Sequence, residues 1–195
     1  MQANLRPLLV LFFGLTALTG GAYPLLVNGL AQLLFPGPAN GGLIREGERV
    51  VGARPIGQVF TGAGYFHGRP SALSPAYDAK TSGGSNLGPT NPALLAAVRA
   101  RVEALQAENP KRSGAIPVEL VTTSASGLDP DLSPAGAMYQ VPRIAEARQL
   151  PEAAVYALIN EVQELPLFGI FGEVRVNVLA LNLALDRKAA PGASR

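Results

Sequence analysis

His67, Ser124, Ser126 and Asp129 are the residue types from which a hydrolase assembles base, nucleophile and orienting carboxylate. An imidazole titrating near neutrality can take a hydroxyl proton, and a carboxylate can hold the imidazole in place. Their surroundings argue against that use. Neither serine lies in Gly-x-Ser-x-Gly, the strained elbow that exposes a nucleophile. A single histidine beside aromatic residues more often packs or faces water. Two glycine-rich stretches, Gly62-Ala63-Gly64-Tyr65-Phe66-His67-Gly68-Arg69-Pro70 and Ser82-Gly83-Gly84-Ser85-Asn86, could aim backbone N–H groups at an anion, although such runs more often only turn the chain. Asp129-Pro130-Asp131 before Ser133-Pro134 reads as a turn that caps a helix, with a carboxylate pair facing a partner as the alternative. GxxxxGK[ST], GxGxxG and HExxH are absent, and with them the familiar phosphate cradles and zinc helices. Zero cysteines remove disulfides and thiolate chemistry, and one histidine leaves no ordinary zinc set, so no metal site is expected. The formal charge of +2 is scattered, which leaves no basic patch for nucleic acid.

These residues must be positioned by a domain of ordinary size that follows one long apolar segment. From Pro7 to Ile44 there is no charged residue and no histidine, and the apolar heart runs over 8–35. A bilayer core of about 30 Å needs about 20 apolar residues in a helix, so this segment can cross with length to spare. Gly20-Gly21-Ala22 offers a secretory cleavage pattern, but Leu25 to Phe35 carry the hydrophobicity well past it, which favours a retained anchor. Arg6 on one side and Arg45, Arg49 and Arg54 on the other leave the orientation open by charge. Thr16, Gly20, Pro24, Asn28 and Gln32 recur every fourth residue, a row of small and polar groups suited to another transmembrane helix. The alternative places Asn28 and Gln32 at headgroup depth. Tyr23-Pro24 predicts a kink.

After the breaker cluster 36–42, weak alternation over Arg49 to Phe60 predicts a strand or two, broken at Pro55 and Gly57. Thr61 to Pro92 is long, irregular and rich in Gly, Ser, Pro and Asn, and its aromatic residues Tyr65, Phe66 and Tyr77 argue that it is ordered. Asn91-Pro92 predicts a capped helix to about Glu108, with Leu94, Val98, Val102 and Leu105 on one face. Val118 to Thr122 reads as a strand. Ser133-Pro134 opens a helix toward Arg148 that Pro142 should break or kink. A helix over Pro151 to Gln163, a buried strand over Val174 to Leu179 and a short C-terminal helix complete the chain. Helices and strands mix without a βαβ rhythm, so the fold class is α+β, with α/β second.

Several blocks, in order, carry a resemblance that periodicity does not supply. They are Ala22-Tyr23-Pro24-Leu25, Gly57-Gln58-Val59-Phe60, Tyr65-Phe66-His67-Gly68-Arg69-Pro70-Ser71, Ser82 through Gly88 with Asn91-Pro92, Thr123 through Pro130, Gln140-Val141-Pro142-Arg143 with Ala147-Arg148, and Arg175-Val176-Asn177-Val178-Leu179 with Leu181-Asn182. Together they resemble the C subunit of the Kdp-type potassium-transporting ATPase over almost the whole chain. His67 stands where an aromatic residue such as Trp is common, and Asp78 follows Tyr77 where Asn is usual.

The resemblance implies a single-span, non-catalytic accessory subunit in the plasma (inner) membrane. Its partners would be a channel-like potassium-translocating subunit, a P-type ATPase subunit that hydrolyses ATP, and the lipid bilayer. It implies a cytoplasmic N-terminus at 1–7, a transmembrane helix at 8–35, an extracytoplasmic soluble domain at 36–186 and a flexible tail at 187–195. Such a subunit has no cofactor of its own; ATP belongs to the hydrolytic subunit, whose ATP affinity it is proposed to raise as a catalytic chaperone. Gln140 and Arg143 lie in the segment linked with nucleotide, and a kinked, domain-stabilising helix is the alternative use for them. Tyr65, Arg69, Ser82 and Asn86 are the soluble-domain residues expected to meet a partner. The competing reading is a membrane-tethered extracytoplasmic hydrolase.

Overall fold

The apolar segment forms one nearly continuous helix over Leu5–Leu34 with none of its residues buried. The computed structural model describes residues 5–112 and 114–189. Two α-helices, α1 (Leu5–Ala17) and α2 (Tyr23–Leu34), are joined by a π-helical turn over Leu18–Ala22 in which the Tyr23 N–H reaches back to the Leu18 carbonyl. Pro24 has no N–H and its ring crowds the carbonyl four residues earlier, and the wider turn in front of it relieves that crowding. The expected irregularity at Tyr23-Pro24 therefore takes the form of a π turn. A single turn of helix, α3 (Pro36–Ala39), and strand β1 (Leu43–Glu46) follow; β1 pairs with β2 (Arg49–Ala53) across a turn in which Gly47 has φ +62°. The chain divides into two units, residues 1–51 and 52–195.

The second unit mixes helices with very little sheet, in keeping with the α+β expectation. Asn91 caps α4 (Pro92–Glu108), its side chain accepting from the Ala93 N–H at 2.9 Å. Leu94, Val98, Val102 and Leu105 lie on the half-buried face of that helix. Ser133 caps α5 (Pro134–Tyr139) by accepting from the Gly136 N–H at 3.1 Å. Gln140 separates it from α6 (Val141–Arg148), so Pro142 sits harmlessly in the first turn of a new helix and the break expected there is complete. Helices α7 (Glu152–Val162) and α8 (Val178–Ala189) pack with α5 and α6 around one core that includes Phe66, Val141, Ile144, Val155, Ile159, Val176, Leu181 and Leu185. Two residues, Arg187 and Lys188, that open the expected tail are helical, and 190–195 lie outside the described residues.

Two expected strands come out differently. Val118–Leu120 is a 3-10 helix, because Glu119 is drawn inward to accept from the Ser133 backbone N–H and from its hydroxyl at 2.6 Å. Over Val174 to Leu179 the strand shrinks to β4 (Val176–Asn177), pairing antiparallel with β3 (Asp131–Leu132), preceded by Arg175 in a bridge to Glu164. Asn177 ends it by accepting from the Ala180 N–H at 3.1 Å, a capping contact that starts α8.

Candidate functional site

Residues 63–67 have no strand to pair with, yet their backbone lies against the core and needs hydrogen-bond partners. Side chains supply them. Asn182, on the buried face of α8, accepts from the Phe66 N–H at 2.8 Å and donates to the Phe66 carbonyl at 3.0 Å. Gln140, at the α5–α6 junction, does the same for His67, at 2.8 and 2.9 Å. Arg143, one turn into α6, donates to the carbonyls of Ala63 and Tyr65 and to the Gln140 side-chain oxygen at 2.8 Å. Arg148 donates to the Gly64 carbonyl at 2.6 Å and pairs with Asp186 at 2.7 Å, its guanidinium lying over the Tyr65 ring. Gln140 and Asn182 are 1% exposed, so these amides serve the loop rather than solvent. Phe66 is thereby pinned in the core.

The clamp feeds a second loop layer. Gly68 leaves room for Tyr77, since a Cβ there would lie 2.7 Å from the Tyr77 hydroxyl, which donates to the Arg69 carbonyl. Arg69 pairs with Asp129 at 2.9 Å. Ser71, Ser124 and Ser126 spend their hydroxyls on turns: Ser71 donates to the Gly127 carbonyl, Ser124 accepts from the Gly127 N–H and Ser126 from the Leu128 N–H. Gly127 has φ +70° and abuts Leu73 and the Gly83 carbonyl, a position only glycine fills. The four candidate residues, of the three types a triad needs, thus do not meet. His67 bonds Gly62, Asp129 bonds Arg69 and the Asp131 N–H, and both serine hydroxyls bond backbone. A shallow cleft of about 330 Å³ lies along Phe60, His67, Arg69, Tyr77 and Glu108.

His67 Nε2 lies 3.1 Å from the Gly62 carbonyl and Nδ1 lies 3.5 Å from a Glu108 carboxylate oxygen. Burial first and the Arg143 charge second hold the imidazole below its ordinary value, against the opposing pull of Gly62 and Glu108. The His67–Glu108 contact is accordingly one between a neutral ring and a carboxylate at neutral pH. Glu164 sits between Arg54 and Arg175. Burial pushes its carboxyl up, but the hydrogen bonds and charges of the two arginines together outweigh burial and hold it below the usual range.

Of the soluble-domain residues expected to meet a partner, Ser82 and Asn86 are exposed, Asn86 in the left-handed region at φ +52° that asparagine tolerates. Tyr65 and Arg69 are half-buried and engaged within the fold, Tyr65 with Asp186 and Arg69 with Asp129. Gln140 and Arg143 belong to the clamp. In the apolar helix Thr16, Gly20, Pro24, Asn28 and Gln32 are all exposed, and Gln32 accepts from the Asn40 side chain at 2.9 Å. The π turn turns less per residue than an α turn, which offsets the drift of a four-residue repeat and straightens this row. Asn182 and Arg148 as clamp residues were not apparent as such in the sequence, nor was the exposed apolar hairpin at 165–171. Its eight uncharged residues between Glu164 and Glu173, punctuated by Pro166, Gly169 and Gly172, were the available signal.

One membrane-length apolar helix among the described residues, followed by a mixed α+β domain, is the build of a membrane-associated protein. The chain belongs to the family of the K+-transporting ATPase c chain, whose profile matches residues 5–187. It is 58% identical over 187 residues to the potassium-transporting ATPase KdpC subunit of Polaromonas naphthalenivorans, covering 95% of each chain. It is 57% identical over 191 residues to that of Variovorax paradoxus, covering 97% of this chain and 99% of the relative. To that of Caulobacter vibrioides it is 54% identical over 196 residues, covering 100% and 98%.

Two tests address the clamp. Asn182→Leu keeps the branched shape and strands the Phe66 N–H and carbonyl; at about 1–3 kcal/mol for each unsatisfied buried group, the chain should lose about 2–6 kcal/mol. Urea unfolding of the full chain in detergent measures this, and a loss under about 1 kcal/mol would show the bracket to be dispensable. Because the folded His67 binds its proton less readily than the unfolded one, its contribution to stability is complete above about pH 6.5 and is lost as pH falls from there through the folded value. The urea midpoint should therefore drop between about pH 7.5 and about pH 5.5, and His67→Gln should shrink that drop; equal slopes in both proteins would refute the assignment.

Proposed function

We propose that this chain is a non-catalytic accessory subunit of an ATP-driven potassium uptake pump, assembling with a channel-like potassium-translocating subunit and a P-type ATPase subunit. The clamp is the observation that carries the accessory role: Gln140, Arg143 and Asn182, side chains well equipped for ligand binding, are consumed in ordering the loop over 63–67. Membership of the c chain family over residues 5–187 supports the pump as its setting. In this reading the ordered loops present Ser82 and Asn86 to the channel-like subunit, with Tyr65 and Arg69 holding them in place from beneath. Thr16, Gly20, Pro24, Asn28 and Gln32 receive a partner helix. An interhelical hydrogen bond of the kind Asn28 can make is worth about 0.6 kcal/mol.

The proposed topology has residues 1–7 in the cytoplasm, 8–35 across the inner membrane and 36–186 outside, followed by a tail. Gln140 and Arg143 then influence ATP affinity of the hydrolytic subunit through the conformation of the domain, without touching nucleotide, and the chain needs no cofactor of its own.

Protease added to intact right-side-out spheroplasts should remove the soluble domain; protection there, with cleavage in inverted vesicles, would reverse the topology. In the assembled pump, Asn86→Ala and Arg69→Ala should each lower potassium-stimulated ATPase activity several-fold, whereas His67→Ala should leave it close to normal. Turnover of ATP or an ester by the purified full chain alone, abolished by His67→Ala, would instead establish the tethered hydrolase.

A further inference from the structure

The core of the second unit stops at Val162 and resumes at Val176, and the chain between them leaves the domain as a hairpin. Glu164 and Arg175 exchange backbone hydrogen bonds at 2.7 and 3.1 Å, and Leu167 and Phe171 exchange a second pair at 2.9 and 3.0 Å. The tip is closed by Phe168 and Gly169 at φ +55° and +72°. Leu165, Leu167, Phe168, Ile170 and Phe171 are 63–83% exposed, and 165–172 contains no charge. Soluble surfaces scatter such residues singly; a continuous set of five marks contact with a membrane or a partner.

We propose that this hairpin dips into the interface of the lipid bilayer in which its own chain is anchored. Side chains alternate across a hairpin, and here those on both of its faces are apolar and exposed, so the finger is apolar all round. A protein partner would normally cover one face, whereas a fluid apolar medium accepts all of them. The finger ends in a polar collar in which Glu164 bonds Arg54 and Arg175, and Arg175 also pairs with Asp131 at 3.2 Å. From that collar to the Leu167–Phe171 pair is about 10 Å at strand rise, which matches the depth of about 5–10 Å at which interfacial apolar segments lie. Residues 35–51 can span no more than about 60 Å even fully extended, so a chain anchored through Leu5–Leu34 keeps its domain near the bilayer, and weak partitioning is enough. The inference depends on the membrane anchor and not on assembly with the pump subunits.

The sequence contains no tryptophan, so Phe168→Trp installs a single reporter at the most exposed apolar side chain of the tip. The full chain is reconstituted into phosphatidylcholine vesicles with ordinary or brominated acyl chains. Leu25→Trp in the span serves as the quenched control and Val118→Trp, exposed on the 3-10 helix, as the aqueous one. The Phe168→Trp emission should be blue-shifted relative to Val118→Trp and quenched at least twofold by bromolipid. Water-like emission without quenching, while Leu25→Trp is quenched, overturns the proposal. So does emission that becomes shielded only when the other pump subunits are added, which would assign the finger to a protein surface.

Discussion

Everything in the soluble unit depends on how the backbone of residues 63–67 is satisfied. A loop that crosses the core without a strand partner would leave buried N–H and carbonyl groups unpaired, at about 1–3 kcal/mol each. Two carboxamides solve this, because an amide side chain offers one donor and one acceptor and so can pair with both backbone groups of one residue. Asn182 takes Phe66 and Gln140 takes His67. Arginines 143 and 148, with several donors in a fixed fork, collect the neighbouring carbonyls of Ala63, Gly64 and Tyr65. The clamp draws one element from the middle of the domain and one from its end onto the same short segment, so the helices cannot separate without stranding the loop.

That arrangement also explains why residues that look functional do not come together as a Ser-His-Asp triad. Histidine, arginine, glutamine and serine are the vocabulary of catalysis, but they are equally the residues that can terminate backbone hydrogen bonds. In this domain the serines at 71, 124 and 126 act as turn formers and Asp129 as an anchor for Arg69 and the Asp131 N–H. The loops they hold present a defined surface, which the proposed accessory role would use.

The apolar helix obeys a different constraint. It has no core to bury, and its backbone groups are paired within the helix, as a bilayer demands. Pro24 breaks that rule locally, and the π turn over Leu18–Ala22 accommodates it without interrupting the helix. The exposed hairpin at 165–171 adds a second apolar surface on the same chain, one built from strand geometry.

Much of this was legible along the chain. The uncharged run over 7–44 requires a membrane-length helix, Asn91 and Ser133 mark helix starts by side-chain oxygens that reach the next turn, and Pro142 forces a boundary nearby; all are contacts within a few residues, written where they act. The α+β class follows from the same local signals. Tertiary structure decided the rest. Val118 to Thr122 and Val174 to Leu179 have β-branched composition, yet Glu119 is pulled to Ser133 and Asn177 starts a helix, so strand propensity yielded to specific hydrogen bonds. Gln140 sits 73 residues from His67 and Asn182 sits 116 from Phe66, so no spacing rule could announce their pairing. Composition reveals which residues can hydrogen-bond, but a buried backbone group takes whichever partner the packed helices bring within 3 Å, and only the folded chain makes that choice.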